Sequence, residues 1–391
     1  MDPKEILARL AESGTPSDAE SALRLSVGLD DKFTRFENET LPFLAAGGAE
    51  IQFIFAPYGR GKTHLLLALK ELARRHNFVT AYIDCKTDQS PFVCLRATYR
   101  QIAVNMEPPY PSVLTRRSGI EGVIQSHLDQ LESPIEHLKK LKEDSHLPSD
   151  FRNLVIAYGR SLITPNLTDL RSHLSILLSA NAASRVTISF PYRQYPWLPR
   201  PLGKLAKRNA STWVRAVSSL PFSLGYAGSI ILFDETEKTH AFHKLSWKNR
   251  LQYWANLRNL VDHLAIGSFR GCAIFFAVVE EFWELAHQQY QALSQRIERV
   301  RFNENLAHPN PRAIWVNLDE LTNPGPDDSD FFNSLADKIV AVGIEAGLGE
   351  SKAKSILIKL KSLGRKYSGS IYMGAVREFV KLTASGVLTS L

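Results

Sequence analysis

Hydrophobic residues near the start of the chain follow two spacings, and each spacing predicts one kind of element. Residues 51–56 (IQFIFA) and 78–85 (FVTAYIDC) are short, nearly continuous apolar runs, typical of strands buried in a parallel sheet. Between them, residues 63–77 (THLLLALKELARRHN) place apolar side chains three and four positions apart, which predicts a helix. The order strand, loop, helix, strand therefore indicates a βαβ unit.

The rest of the pattern predicts an α/β protein with helical additions. Further strands are expected within 228–238, 271–282 and 312–321, and amphipathic helices over 3–13 and 30–46. The stretch from Ser90 to Leu220 is helical in character, rich in proline and too long for one crossover, so it indicates an insertion. We expect a helical segment at 1–50, a parallel core at 51–322 with an insertion at about 104–220, and a C-terminal helical domain at 323–391.

The loop after the first strand has most of the pattern of a phosphate-binding loop, Gly-x-x-x-x-Gly-Lys-Ser/Thr. Gly61, Lys62 and Thr63 are in place, whereas Ala56 stands where the first glycine is usual, which requires a negative φ there. In such a loop backbone N–H groups surround the phosphates, the lysine reaches the β and γ oxygens, and the hydroxyl binds Mg²⁺. The candidate nucleotide contacts are Pro57, Tyr58, Gly59, Arg60, Gly61, Lys62, Thr63 and His64.

Two acids follow the apolar run of a later strand, IILFDE. Asp234 is expected to hold Mg²⁺ and its water shell opposite Thr63, and Glu235 to orient and deprotonate an attacking water. A strand that simply ends in acids is common, but the loop, helix and acidic strand end occur here in the right order. We therefore predict a site for ATP or GTP with Mg²⁺.

Arginines often complete such sites by neutralising charge on the γ-phosphate. The segment LSQRIERVRF offers Arg296, our preferred finger toward a neighbouring subunit, together with Arg299 and Arg301. The segment YMGAVREFVKL offers Arg377 as an arginine that reaches the phosphate of its own chain. For each of these, a surface or salt-bridged arginine is the alternative.

The charge distribution adds a candidate surface for a polyanion. The net charge is +7, and there is no acidic residue between Asp169 and Asp234. The basic residues of this interval lie among aromatic residues (Tyr192, Tyr195, Trp197 and Trp213) that would stack on bases, so we expect contact with double-stranded DNA. The alternative is that the aromatic residues anchor the insertion to the core. The candidate DNA contacts are Arg193, Arg200, Lys204, Lys207, Arg208 and Arg215.

Composition predicts a cytoplasmic protein. Cys85, Cys94 and Cys272 are scattered and have no metal-binding spacing, which is typical of reduced thiols. No apolar run approaches the length of about 18 residues needed to span a membrane, and the N-terminus lacks the apolar stretch of a signal peptide.

Several of these segments together resemble the P-loop ATP-binding proteins of bacterial BREX phage-defence systems, the BrxD-type family, and more distantly the initiator clade of AAA+ ATPases. The resemblance implies an AAA+ type P-loop NTPase with a parallel sheet flanked by helices and a C-terminal helical lid. It also implies ATP as the nucleotide, a homo-oligomeric ring or filament, other defence-system proteins as partners, and base contacts by Val27 and Gly28. It is carried by residues 27–66, 198–238, 290–321 and 374–382.

The sequence departs from that family in two places. Pro57 and Arg60 alter the usual loop, and the run FFAVVEEF has Ala277 and Val279 where a polar side chain normally faces the γ-phosphate. We therefore expect slow ATP hydrolysis, coupled as a switch to assembly on DNA and partner proteins. The alternatives are a regulator of DNA transposition or replication loading, and a nucleotide-binding scaffold that does not hydrolyse ATP.

Overall fold

A six-stranded sheet lies at the centre of the computed structural model, which describes residues 2–16, 18–85, 92–110, 118–180, 192–235, 245–298, 315–318, 329–367 and 375–391. The strand order is β3-β2-β4-β5-β1-β6, and β3 alone of these six runs antiparallel, against β2. The strands are β1 (Ala49–Phe55), β2 (Phe78–Asp84), β3 (Met106–Glu107), β4 (Gly228–Asp234), β5 (Cys272–Val278) and β6 (Trp315–Asn317).

The predicted strands are confirmed, with changes in their bounds. The strand expected over 271–282 ends at Val278, and a helix begins at Glu280. The strand β3 was not predicted, because two residues are too few to show a period. Since β5 pairs with both β1 and β4, the carboxyl ends of these three strands open at the same edge of the sheet.

Helices precede the first strand, connect the strands and follow the last strand. The first five are α1 (Pro3–Ser13), α2 (Ala19–Leu25), α3 (Asp30–Arg35), α4 (Leu41–Ala45) and α5 (Lys62–Arg75), with a π-helical turn over Phe36–Thr40. The helix α6 (Leu95–Asn105) leads into the region predicted as an insertion, which contains α7 (Gly119–Asp129), α8 (Pro134–Leu141), α9 (Ser149–Ile163), α10 (Thr168–Leu178) and α11 (Ala210–Leu224). The later helices are α12 (Trp247–Ala265), α13 (Glu280–Gln289), α14 (Gln291–Glu298), α15 (Ser329–Glu345), α16 (Glu350–Tyr367) and α17 (Ala375–Leu388).

The two faces of the sheet are buried by different parts of the chain. Side chains alternate along β1, so that Phe53 joins a core shared with the insertion helices and α12, whereas Ile54 joins a core shared with α3 to α5. Trp213 on α11 and Phe151 on α9 are fully buried in the first of these cores. The insertion therefore shares its hydrophobic core with the sheet.

The two ends of the chain form a third core. Leu7 and Leu10 of α1 pack with Phe332, Phe379 and other side chains of α15, α16 and α17. We call these four helices, α1 and α15 to α17, the terminal bundle. The α2 helix, in contrast, packs mainly along α5. Within the N-terminal segment, α1 thus belongs to the terminal bundle, whereas α2 packs on α5, the helix that follows the phosphate loop.

None of the helices in the described ranges is long and apolar enough to cross a membrane.

Candidate nucleotide-binding site

The loop between β1 and α5 has the backbone that a phosphate-binding loop requires. Gly59 has φ 78° and Gly61 has φ 90°, conformations that other L-residues rarely adopt. Ala56, at the first motif position, has a negative φ and is fully buried, so this position does not require glycine. The sequence-based expectation for this residue is confirmed.

Lys62 begins α5 and turns its ammonium group back over the loop. Its Nζ donates hydrogen bonds to the carbonyl oxygens of Ala56, at 2.7 Å, and Pro57, at 3.1 Å. The ammonium also lies 5.3 Å from the centre of the Tyr58 ring. Lys62 is 8% exposed, so its ammonium group is held within the loop. It lines a cavity beside the loop, where phosphates would fit.

Asp234, at the end of β4, is the polar centre of the site. Its Oδ2 accepts hydrogen bonds from the hydroxyl of Thr63, at 2.7 Å, and from the hydroxyl of Tyr82, at 2.6 Å. Its Oδ1 accepts from the backbone N–H of Glu235 at 2.9 Å. Asp234 is 3% exposed, and these three donors fix the positions of both carboxylate oxygens. Tyr82 was not identified from the sequence, because a single tyrosine within a strand looks the same whether it packs in the core or contacts a functional site.

Glu235 has an unusual backbone conformation for a residue with a side chain. Its φ is 52°, in the left-handed region that costs roughly 1 kcal/mol or more for a residue other than glycine. The turn follows directly on β4, and Glu235 lines the same cavity as Thr63 and Asp234. Backbone strain of this kind is concentrated at functional sites, which supports a functional role for this carboxylate.

A cavity of about 270 Å³ joins the loop to the terminal bundle. Its polar end holds Lys62, Thr63, Asp234 and Glu235, and Arg377 of α17 reaches the same cavity. Its other end is apolar, which suits a nucleotide base more than phosphate. That apolar lining includes Leu10, Leu25, Val27, Leu29, Leu335, Ile339 and Val380.

Most predicted nucleotide contacts line this cavity: Val27, Tyr58, Gly59, Arg60, Gly61, Lys62, Thr63 and His64. Pro57 and Gly28 do not. Pro57 instead offers its carbonyl to Lys62, and Gly28, with φ 71°, turns the chain between the lining residues Val27 and Leu29. Leu10, on α1, also lines the cavity and was not predicted, because the sequence gives no sign that the first helix reaches its apolar end.

Thr63 and Asp234 fit a magnesium ion by their chemistry. A hydroxyl and a carboxylate are the hard oxygen ligands that Mg²⁺ prefers, and the Thr63 Oγ1 and the Asp234 Oδ2 lie 2.7 Å apart beside the phosphate loop.

The end of β5 lies between the loop strand and the acidic strand, and it is apolar. Ala277, Val278 and Val279 are all buried, and Ala277 pairs in register with Ile54. These three positions therefore offer the cavity no polar side chain.

Arg296 is not brought to the cavity. Its guanidinium forms an ion pair with Asp262 on α12 and donates to the carbonyl of Ala292 at 2.7 Å. It thus contributes to the packing of α14 on α12. Arg299 and Arg301, the other candidates in this segment, lie outside the described residues.

The basic stretch of the insertion is exposed, but its aromatic residues are largely engaged. Trp213 is fully buried and donates its indole N–H to Asp150 at 3.2 Å, so it anchors the insertion as the alternative interpretation proposed. The guanidinium of Arg200 stacks on the Tyr192 ring, 4.8 Å from the ring centre. Trp197, in contrast, is 43% exposed. Of the predicted DNA contacts, Arg193, Arg200, Lys204, Lys207 and Arg208 are exposed and Arg215 is half-buried.

The sheet order, the loop and the acidic strand end together define a P-loop nucleotide-binding protein with an NTPase-like α/β fold and helical additions. Comparison with family models specifies this further. The model of the BREX system ATP-binding protein BrxC/D family matches residues 4–159 and 202–342, and the chain belongs to this family. No curated protein and no solved structure matches the chain. The match supports an ATP-binding role in phage defence, alongside other proteins of a BREX system.

Proposed function

We propose that this chain is a slow ATPase whose nucleotide state controls assembly with other copies, with double-stranded DNA and with partner proteins of the defence system. The observation that carries the proposal is the hydrogen bond between Thr63 and Asp234, with Glu235 directly beside it in the same cavity. The loop supplies phosphate contacts, the two oxygen ligands suit Mg²⁺, and a carboxylate is present to act on water.

Each residue has a chemical role in this proposal. Lys62 and the backbone of Gly59 to Thr63 bind the β- and γ-phosphates, and Thr63 and Asp234 hold Mg²⁺, which neutralises charge on the phosphates. Glu235 accepts the proton of the attacking water. Arg377 lies on the cavity wall and would contact the γ-phosphate of its own chain, so the terminal bundle would respond to whether that phosphate is present.

We propose that the segment containing Arg296 supplies the arginine finger to the nucleotide of a neighbouring subunit. Its ion pair with Asp262 would have to open before this arginine reached another copy. A ring or filament would place such a residue at the nucleotide of the adjacent subunit.

A non-hydrolysing scaffold is the second candidate, and a specific observation favours it. The buried apolar end of β5, with Ala277 and Val279, offers no side-chain hydrogen bond to a γ-phosphate or water. In other enzymes, removing one hydrogen-bond donor from an oxyanion hole lowers kcat by about 10²- to 10³-fold. We therefore expect slow turnover even if this chain hydrolyses ATP.

The experiment is ATP hydrolysis by the purified protein with and without duplex DNA, for wild type, Glu235→Gln and Glu281→Gln. Glu281 is an exposed carboxylate on α13, so its amide is a matched control. We expect turnover that DNA stimulates and that Glu235→Gln abolishes while ATP binding persists. ATP binding without turnover in wild type, with or without DNA, would support the scaffold instead.

A further inference from the structure

Ser26 lies where three parts of the molecule meet. It directly follows α2, which packs along α5, and it directly precedes Val27 of the cavity lining. Its side chain contacts His64 in the first turn of α5, and its carbonyl contacts Lys338 on α15 of the terminal bundle. We call Ser26, His64 and Lys338 the junction.

The direction of each hydrogen bond follows from the donors available. The Ser26 hydroxyl donates its one proton to the carbonyl of Ala22 at 2.9 Å. It must therefore accept from His64, whose Nε2 lies 2.8 Å from the Ser26 Oγ, so this imidazole carries its proton on Nε2. Lys338 donates from Nζ to the Ser26 carbonyl oxygen. Ser26 itself is 4% exposed, and its two partners, His64 and Lys338, are half-buried.

The junction connects the two ends of the cavity. His64 follows the phosphate-binding residues Lys62 and Thr63 without a break, while Lys338 stands between Leu335 and Ile339, which line the apolar end. Arg24 of α2 adds an ion pair with Glu345 at the far end of α15, but both side chains are exposed. That pair is bidentate and lies in solvent, whereas the junction is a second polar link between α2 and the terminal bundle and is centred on the buried Ser26.

We infer that Lys338 and His64 are positioning residues that hold Ser26 and Val27 between the phosphate loop and the terminal bundle, and thereby form the subsite for the nucleotide base. Neither side chain needs to touch the base. Each restrains the backbone of the segment that does, and the restraint comes from both sides of the cavity. The inference rests on ATP binding and does not depend on hydrolysis.

The test separates binding of the base from binding of the phosphates. ATP affinity is measured by calorimetry, and inorganic tripolyphosphate is measured by competition, for wild type, Lys338→Met, Ser26→Ala and Lys361→Met. Lys361 is a matched control, because it also belongs to the terminal bundle but pairs with Asp337 at 3.3 Å. For Lys338→Met we expect ATP affinity to fall about tenfold, since a charged hydrogen bond is lost, with tripolyphosphate affinity unchanged.

Ser26→Ala removes the acceptor for His64 but keeps the carbonyl, so a smaller loss with the same preference for ATP over tripolyphosphate is expected. Lys338→Arg restores a donor and should recover most of the affinity. Equal losses for both ligands in Lys338→Met, or no loss for either, would overturn the inference. If Lys338→Met does not fold, Ser26→Ala decides by the same comparison. A wild type that binds ATP without turnover would refute the proposed ATPase and leave this test intact.

Discussion

The hydroxyl of Tyr82 lies 2.6 Å from Oδ2 of Asp234, the oxygen that also accepts from Thr63. Tyr82 is on β2 and Asp234 on the adjacent β4, so the sheet itself sets this distance. Burial, together with the nearby carboxylate of Asp234, raises the pKa of the Tyr82 phenol, which keeps it a donor at neutral pH. Tyr82 thus fixes the orientation of the carboxylate that would hold Mg²⁺.

Replacing Tyr82 with phenylalanine should loosen that carboxylate. We expect the Mg²⁺ concentration for half-maximal ATP binding to rise about tenfold, as is typical when a hydrogen bond to a metal ligand is removed. The measurement is a magnesium titration of ATP affinity. Tyr226→Phe is the control, because its buried hydroxyl also makes a hydrogen bond, but to the carbonyl of Val123, at 3.1 Å, away from the site. Identical magnesium curves for Tyr82→Phe and Tyr226→Phe would contradict the role of Tyr82.

The strained backbone at Glu235 predicts a reversed order of stability for two small substitutions. Glu235→Gly and Glu235→Ala both remove the carboxylate, but only glycine adopts φ 52° without strain. We expect the glycine variant to have the higher free energy of unfolding, by about 1 kcal/mol, whereas alanine is the more stable residue at ordinary positions. Urea denaturation of the two variants measures this difference. An alanine variant as stable as the glycine variant would show that this turn is not strained.

Substitutions at Gly61 and at Ala56 of the loop should differ in their effect on ATP affinity. Gly61→Ala places a Cβ at φ 90° and should reduce ATP affinity at least tenfold through the distorted backbone. Ala56→Gly restores the usual motif but adds freedom at a buried position with negative φ, so ATP affinity should stay within about twofold. Calorimetric titration with ATP checks both. A large gain in affinity for Ala56→Gly would mean that the alanine impairs the loop after all.

Two tryptophans of the insertion predict different effects on DNA binding and on stability. Trp197→Ala should weaken duplex DNA binding while the protein stays as stable as wild type, because the side chain is 43% exposed. Trp213→Ala should lower the free energy of unfolding by about 3–5 kcal/mol, because it empties a fully buried site. Fluorescence anisotropy at several salt concentrations measures the first effect, and urea denaturation the second. DNA affinity that is absent, or that does not fall with salt, would exclude this surface as a DNA contact.

A pair of histidines predicts that stability falls in mild acid. The Nε2 atoms of His127 and His137 lie 3.1 Å apart, and burial, with His137 adding to it, lowers the pKa of His127 to about 4. Burial also lowers the pKa of His137, with Lys140 adding to it. Because the unfolded chain binds these protons near pH 6.5, it holds more protons than the folded chain as the pH falls from about 6.5 toward 4. The free energy of unfolding should therefore decrease over that range.

The measurement is the urea midpoint at pH 7.5 and at pH 5.5, a range in which most carboxylates remain ionised. His137→Gln keeps a hydrogen-bonding partner for His127 but removes one titrating group, so the difference between the two midpoints should shrink. An unchanged difference would assign the pH dependence to other groups.

The sequence by itself determined the order of the strands and helices around the loop, the need for glycine at 59 and 61, and the acids at the end of β4. These features are local, because a buried strand, an amphipathic helix and a left-handed turn each impose their pattern on neighbouring residues. The apolar end of β5 was also evident from the sequence, and the resemblance to the family implied that a polar residue is usual near Ala277. The fold class and the phosphate end of the cavity were therefore predictable.

The tertiary structure alone decided which distant side chains meet. Tyr82 reaches Asp234 across 152 positions and Lys338 reaches Ser26 across 312, and neither pairing leaves a periodic trace in the sequence. The structure also shows α1 packed with the C-terminal helices and Trp213 buried, whereas the sequence had left Trp213 open between stacking on bases and anchoring the insertion to the core. Such contacts depend on how whole elements pack to exclude water, so they become visible only once the sheet and both of its covering layers are assembled.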